Sequence, residues 1–75
     1  MGDLNTIEGI NAEIRRAADQ CTPVQYVPLL LRCAAVRRGG VVDPHLAVEV
    51  ADYASTLAMH GLLTLAGNLR RAVPA

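Results

Sequence analysis

The stretch from residue 23 to residue 39 constrains the fold of this chain more than any other. It reads PVQYVPLLLRCAAVRRG, in which Gln25, Arg32 and the terminal Arg37-Arg38 pair supply the strongly polar side chains. A helix that is apolar on all sides is normally buried on all sides. The sequence therefore predicts a helix that other helices must cover almost completely.

Start and stop signals place the first two helices at about residues 6–20 and 23–38. Asn5 is the predicted N-cap of the first helix, because a short polar side chain there accepts a bond from an unpaired backbone N–H. Thr22, followed at once by a proline, is the corresponding signal for the second helix. Pro28 lacks a backbone donor, and we expect it to kink this second helix or to delay its start.

An Asp43-Pro44 pair repeats the start signal before a third helix, predicted at about 44–71. Gly61 and Gly67 each cost about 1 kcal/mol relative to alanine inside a helix. The apolar pattern nevertheless continues across both, so the sequence favours one long helix, straight or bent, over a break at His60-Gly61. No segment shows the alternation of a half-buried strand, and the predicted class is all-α.

Composition suggests that one chain covers this core poorly. Hydrophobic residues make up 52% of the 75 positions, but Phe and Trp are absent and alanine is frequent. A single small domain with small core residues is marginally stable alone. We therefore expect the three-helix unit, residues 1–75, to associate as a helical dimer or larger bundle. The predicted interface combines one side of the second helix with an alanine strip of the third: Tyr26, Leu29, Leu30, Cys33, Val36, Ala47, Ala51, Ala54 and Ala58.

Arginine occurs in three doublets, at Arg15-Arg16, Arg37-Arg38 and Arg70-Arg71, and lysine is absent. Arginine near the end of a helix complements the helix dipole, and this is the simpler explanation. We also expect Arg15 and Asp19 to form an ion pair one turn apart. Binding of a phosphate or an acidic partner would require two or more doublets to lie on one surface. The candidate contacts are Arg37, Arg38, Arg70 and Arg71.

A DNA-binding helix-turn-helix, formed by the second and third helices, is the main alternative. The connector GGVVD is longer than the usual turn of such motifs. The outward residues of the would-be recognition helix are His45, Glu49 and Asp52, and carboxylates are repelled by phosphates. The net charge of zero also argues against a dedicated nucleic-acid binder.

The sequence gives little support for a metal site or for a catalytic site. His45, Glu49 and Asp52 share one helical face, but an exposed polar face explains them more simply. Cys33 reads as a small core residue, and Cys21 has no identifiable base beside it. Along a helix the two thiols would lie about 18 Å apart, too far for a disulfide. We predict a protein that is not an enzyme and needs no cofactor.

Residues 53–69 form an uncharged run of 17 residues, short of the roughly 20 that span a bilayer. A core or interface helix accounts for this run better than a membrane anchor. The opening MGDLNT matches a myristoylation pattern only formally, since Asp3 is acidic, and it does not resemble a signal peptide. Free thiols suit a reducing compartment, so we expect a cytoplasmic protein.

These features favour a small helical protein that acts by binding another protein, with self-association as the simplest form. The excess of apolar helical surface is the basis of this expectation. A small dimeric DNA-binding regulator of phage or plasmid type is the alternative function.

Overall fold

The computed structural model describes residues 3–74, most of which belong to four α-helices. These are α1 (Ile7–Ala18), α2 (Tyr26–Arg37), α3 (Leu46–Met59) and α4 (Leu63–Ala72). No strand occurs between residues 3 and 74, and the helices contact one another as in a bundle. The all-α class is confirmed, but the third predicted helix is in fact two.

A tight turn over residues 3–6 sets the start of α1. The backbone N–H and the hydroxyl of Thr6 both donate to the Asp3 carbonyl, at 3.0 and 2.8 Å. Thr6 has extended backbone, and its Oγ1 accepts the Gly9 N–H at 3.0 Å. Thr6 is therefore the N-cap, and the prediction of Asn5 was wrong. The N–H of Asn5 instead donates to the Asp3 carboxylate within the turn.

Both proline start signals are followed by a turn before the helix begins. The Tyr26 N–H donates to the Pro23 carbonyl at 3.1 Å, and the Leu46 N–H donates to the Asp43 carbonyl at 3.2 Å. The helices therefore start two to three residues later than predicted. Pro28 lies in the first turn of α2, where backbone donors have no partner within the helix. Helix α3 starts late without a second proline, so the expected effect of Pro28 on the start of α2 stays a prediction.

The predicted helix over 44–71 breaks at Gly61. This residue has a φ of 81°, in the left-handed region that favours glycine. The Leu62 N–H donates to the Leu57 carbonyl at 2.8 Å, and the Gly61 N–H donates to the Ala58 carbonyl at 3.0 Å. This pair of bonds is the Schellman arrangement, which satisfies carbonyls at a helix end. The prediction of one continuous helix was wrong because α4 folds back against α3.

The break supplies the helix that covers α2. Helix α2 contacts α1, α3 and α4, whereas α3 packs mainly on α4. The chain exposes 4707 Å², close to the roughly 4,500 Å² expected of a compact monomer of its mass. A single chain therefore hides most of its core, whose largest fully buried side chains are Ile10, Tyr26, Leu30, Cys33, Val50 and Leu69.

Most of the residues predicted to form an interface between chains are buried within one chain. Tyr26, Leu29, Leu30 and Cys33 of α2 and Ala54 of α3 are buried inside one chain. Val36 and Ala58 are half-buried against the same core. The expectation that one chain covers this core poorly was wrong for α2, because three neighbouring helices surround it. The members that stay exposed are Ala47 and Ala51.

Among the helices within residues 3–74, none combines the length and the apolar character that crossing a membrane demands. The uncharged run over 53–69 is divided between α3 and α4.

Candidate functional site

Arg37 is a structural residue that closes the end of the bundle. Its guanidinium donates to the carbonyls of Ala72 at 2.9 Å and Asn5 at 2.7 Å. Longer bonds of 3.3 Å reach the carbonyls of Arg71 and Val73. We expected Arg37 to complement the dipole of its own helix. It also satisfies the carbonyls at the end of α4 and holds the segment that precedes α1.

Arg32 forms a second link, between α2 and the start of α3. Its guanidinium binds Asp43 in a fork, at 2.7 and 2.8 Å, and also reaches Glu49 at 2.8 and 2.9 Å. These bonds hold the pKa values of both carboxyl groups below their usual range. Because Glu49 and Arg32 are partly exposed, we assign this cluster a modest role in orienting the α2–α3 connection.

A more buried network lies between α1, α2 and α4, centred on Glu13. The Tyr26 hydroxyl donates to Glu13 at 2.5 Å, and Arg16 donates to both carboxylate oxygens at 2.7 and 2.8 Å. The Asn68 amide donates to Glu13 at 3.3 Å and to the Tyr26 hydroxyl at 3.1 Å. Arg71 then donates to the Asn68 carbonyl oxygen at 2.7 Å. Five side chains from three helices are thereby joined.

The network fixes the charge state of its members. The hydrogen bonds from Arg16 hold the pKa of Glu13 below its ordinary range, although burial opposes them. Burial, and then the bond to the Glu13 carboxylate, raise the pKa of Tyr26 to about 12. Glu13 is therefore an anion and Tyr26 a neutral donor near pH 7. Asn68 is only 7% exposed, and every buried polar side-chain atom in residues 3–74 has a hydrogen-bond partner.

This network borders a groove between α1 and α4, which we call the α1–α4 groove. Both helices pack on α2, but a space of about 740 Å³ lies between them. Its apolar lining comes from Leu4, Gly9, Ala12 and Leu65. Its polar lining includes Glu13, Arg16, Asn68 and Arg71, with Asp3 and Thr64 in addition.

The second surface feature is the outer face of α3, defined as Ala47, Val48, Ala51, Ser55 and Met59. All five are exposed, and none is charged. Ala47, Ala51, Ser55 and Met59 recur every fourth residue and so share one side of the helix. Val48 is 62% and Met59 86% exposed. Two exposed leucines, Leu62 and Leu63, follow after His60 and Gly61.

One arginine from each of two doublets, Arg16 and Arg71, lines the α1–α4 groove. Arg37 reaches the carbonyls at the end of α4, so the Arg37-Arg38 and Arg70-Arg71 doublets meet at one end of the bundle. Arg38, Arg70 and Arg71 are exposed there. The Arg15-Arg16 doublet lies in the last turn of α1. The expected ion pair of Arg15 with Asp19 does not form within residues 3–74, where Arg16 pairs with Glu13 instead.

The candidate metal residues are not brought together as a site. Glu49 is held by Arg32, and residues 3–74 contain no group of three potential metal ligands. Cys33 is buried, as predicted, and burial raises its pKa. Cys21 is exposed, and neither thiol is in a disulfide, which the spacing also predicted.

Glu13 and Asn68 escaped the sequence analysis. Neither residue is among the candidate site residues that the sequence predicts. A single amide inside an otherwise buried helical segment is the signal that could have identified Asn68, because a buried amide needs partners. No protein-family model, curated protein or solved structure matches this chain.

Proposed function

We propose that this protein acts by protein–protein interaction, through the outer face of α3, and that the partner is a second copy of the same chain. The observation that carries this proposal is the exposure of the five uncharged side chains on the outer face of α3, among them Val48 at 62% and Met59 at 86%. The exposed carboxylate of Asp52 borders this face. With its exposed leucines, this surface amounts to a few hundred Å², about the size at which an apolar patch on a monomer is often functional.

The pattern of side-chain sizes favours self-association. Ala51 and Ser55 are small and lie in the middle of the face, so a second helix can approach closely there. Ala47 stands at one end and Met59 at the other. If two copies cross in opposite directions about a two-fold axis, each Met59 meets an Ala47 of the other copy. A two-fold interface of this kind is self-complementary and requires no matching charges.

The size of the face sets the expected affinity. A contact between single helices buries less than the roughly 1,600 Å² of a standard stable interface. The proposed dimer is therefore weak and reversible, and its population depends on concentration. Such an equilibrium suits a small regulatory or adaptor protein, which is the role we propose for the assembled form.

Sedimentation equilibrium with two matched variants tests this proposal. We expect the wild type to show a monomer–dimer equilibrium, and Ala51→Glu to be monomeric because it places charges at the centre of the contact. Thr56→Glu adds the same charge on α3 outside the outer face and should leave association unchanged. Circular dichroism checks that both variants remain helical. A wild type that stays monomeric up to about 1 mM, or equal effects of the two variants, would overturn the proposal.

A second candidate function, binding to an anionic polymer such as nucleic acid, is favoured by one observation. Two arginine doublets meet at one end of the bundle, and Arg38 and Arg70 are exposed there. Helix α3 carries no Lys or Arg, so this end of the bundle, and not α3, would contact phosphates. Binding to a random DNA duplex should then weaken steeply between about 50 and 200 mM salt. Binding that is absent at low salt, or insensitive to salt, removes this candidate.

A further inference from the structure

We infer that the α1–α4 groove is a binding site for a small organic anion with an apolar body, such as a carboxylate or a phosphate monoester. This site is separate from the outer face of α3 and does not depend on the proposed self-association. The inference rests on the shape of the groove, on its mixed lining and on which hydrogen-bonding atoms its floor leaves unused.

The groove has the dimensions and the composition of a ligand site. Its volume of about 740 Å³ falls within the range of roughly 300–1,000 Å³ typical of small-molecule pockets. Leu4 is almost fully buried and Leu65 half-buried, and with Ala12 they offer an apolar lining. An acyl or alkyl chain placed there would gain free energy by leaving water.

The acceptor atoms on the floor of the groove, the oxygens of Glu13 and Asn68, already receive hydrogen bonds from the protein. Glu13 receives four hydrogen bonds from Arg16, Tyr26 and Asn68, of which three reach Oε2 and one reaches Oε1. The Asn68 carbonyl oxygen accepts from Arg71. One further carboxylate lines the groove, that of Asp3, and it accepts the N–H of Asn5 within its own turn.

Donors, in contrast, remain on the groove wall. A guanidinium carries five N–H donors. Arg71 directs one bond to neutral Asn68, and it pairs with no carboxylate within residues 3–74. Arg16 binds Glu13 through Nε and Nη2, which leaves its Nη1 donors unused. A ligand that supplies acceptors and negative charge therefore complements this wall, with Arg71 as its principal contact.

One hydrogen bond to a buried residue restricts the exposed side chain of Arg71. Arg71 bonds to Asn68, which the hydrogen bonds to Tyr26 and Glu13 hold in place. This bond restricts the guanidinium before a ligand arrives, so binding costs less conformational entropy than at a surface arginine that makes no bond.

Amide chemical shifts from NMR titrations test the site with three probes: octanoate, octyl phosphate and neutral octanol. We expect saturable shifts at Ala12, Leu65 and Asn68 with at least one anion, and much weaker binding of octanol. The two anions distinguish a carboxylate ligand from a phosphate one. No saturable shift with either anion, or equal binding of octanol, overturns the inference.

Matched variants identify the contacts. Arg71→Gln retains a donor for Asn68 but removes the charge, and we expect it to weaken anion binding by about fivefold to tenfold. The control is Arg70→Gln, which removes an exposed arginine that does not line the groove and should leave affinity unchanged. Ala12→Leu fills the groove and should abolish binding. Equal losses for Arg70→Gln and Arg71→Gln would indicate attraction to a basic surface and would contradict a site at the groove.

Discussion

Helices α2 and α3 are built from similar side chains but have different surroundings. Helix α2 has a neighbour on three sides and leaves little beyond Pro28 and Leu31 exposed. Helix α3 packs mainly on α4, with a smaller contact to α2, and leaves its outer face open. An apolar composition therefore indicates that the surface of a helix must be buried by other protein. The number of helices packed on it decides whether the same chain buries that surface.

The largest expected difference lies between a core position of α2 and an outer position of α3. Leu30→Ala removes a fully buried side chain and should lower the free energy of unfolding by about 2–5 kcal/mol. Val48→Ala, on the outer face of α3, should change the monomer's stability by less than about 0.5 kcal/mol. Urea denaturation of dilute samples measures both. Similar losses at the two positions would contradict the contrast between the helices.

A second contrast lies between adjacent arginines at the end of α2. Arg37→Gln removes bonds to backbone carbonyls before α1 and at the end of α4, and should cost about 1–3 kcal/mol. Arg38→Gln changes an exposed neighbour and should have an effect near zero. Thermal unfolding followed by circular dichroism compares them. If both variants melt at the same temperature, Arg37 does not close the bundle as described.

A third comparison adds one methyl group to a glycine in each of two helices, Gly9 in α1 and Gly67 in α4. A Cβ at Gly9 would lie 1.8 Å from the Asp3 carbonyl oxygen, so Gly9→Ala must displace the turn over residues 3–6. We expect a loss of about 1–3 kcal/mol. A Cβ at Gly67 meets nothing within 4 Å, and Gly67→Ala should stabilise α4 by about 0.5–1 kcal/mol. Chemical denaturation should show opposite signs, and equal signs would contradict this packing.

The smallest expected contrast appears in the pH dependence of stability. The pKa of Glu13 is lower in the folded chain than its ordinary 4.5, so its contribution is present above that pH and declines as the pH falls further. Glu49 behaves in the same direction, but its side chain is 49% exposed. Glu13→Gln should therefore flatten the acid limb of the stability curve more than Glu49→Gln. An equal flattening would show that burial adds nothing to the Glu13 network.

Local signals predicted much of the fold. The Thr22-Pro23 and Asp43-Pro44 pairs identified the connections before α2 and before α3. The apolar character of residues 26–36 identified the central helix. Cys33 was assigned to the core because it lies within that apolar stretch. These features depend on neighbouring residues in the chain, so they are visible in the sequence.

The features that the sequence did not reveal depend on distant contacts. Gly61 costs little inside a helix, so a break there is decided by the packing that α4 gains when it folds back. Arg37 looks like the end of its own helix, yet it binds a carbonyl 35 residues away. Glu13 and Asn68 are separated by 55 residues. A polar network of this kind becomes visible only when three helices are placed together.

The most direct test of the outer face of α3 as the self-association surface is a dilution series of the wild type, followed by amide chemical shifts. We predict concentration-dependent shifts centred on Ala47, Val48, Ala51 and Ser55, and none around Leu31 of α2. Shifts confined to α2, or a spectrum that does not change with concentration, would contradict the account.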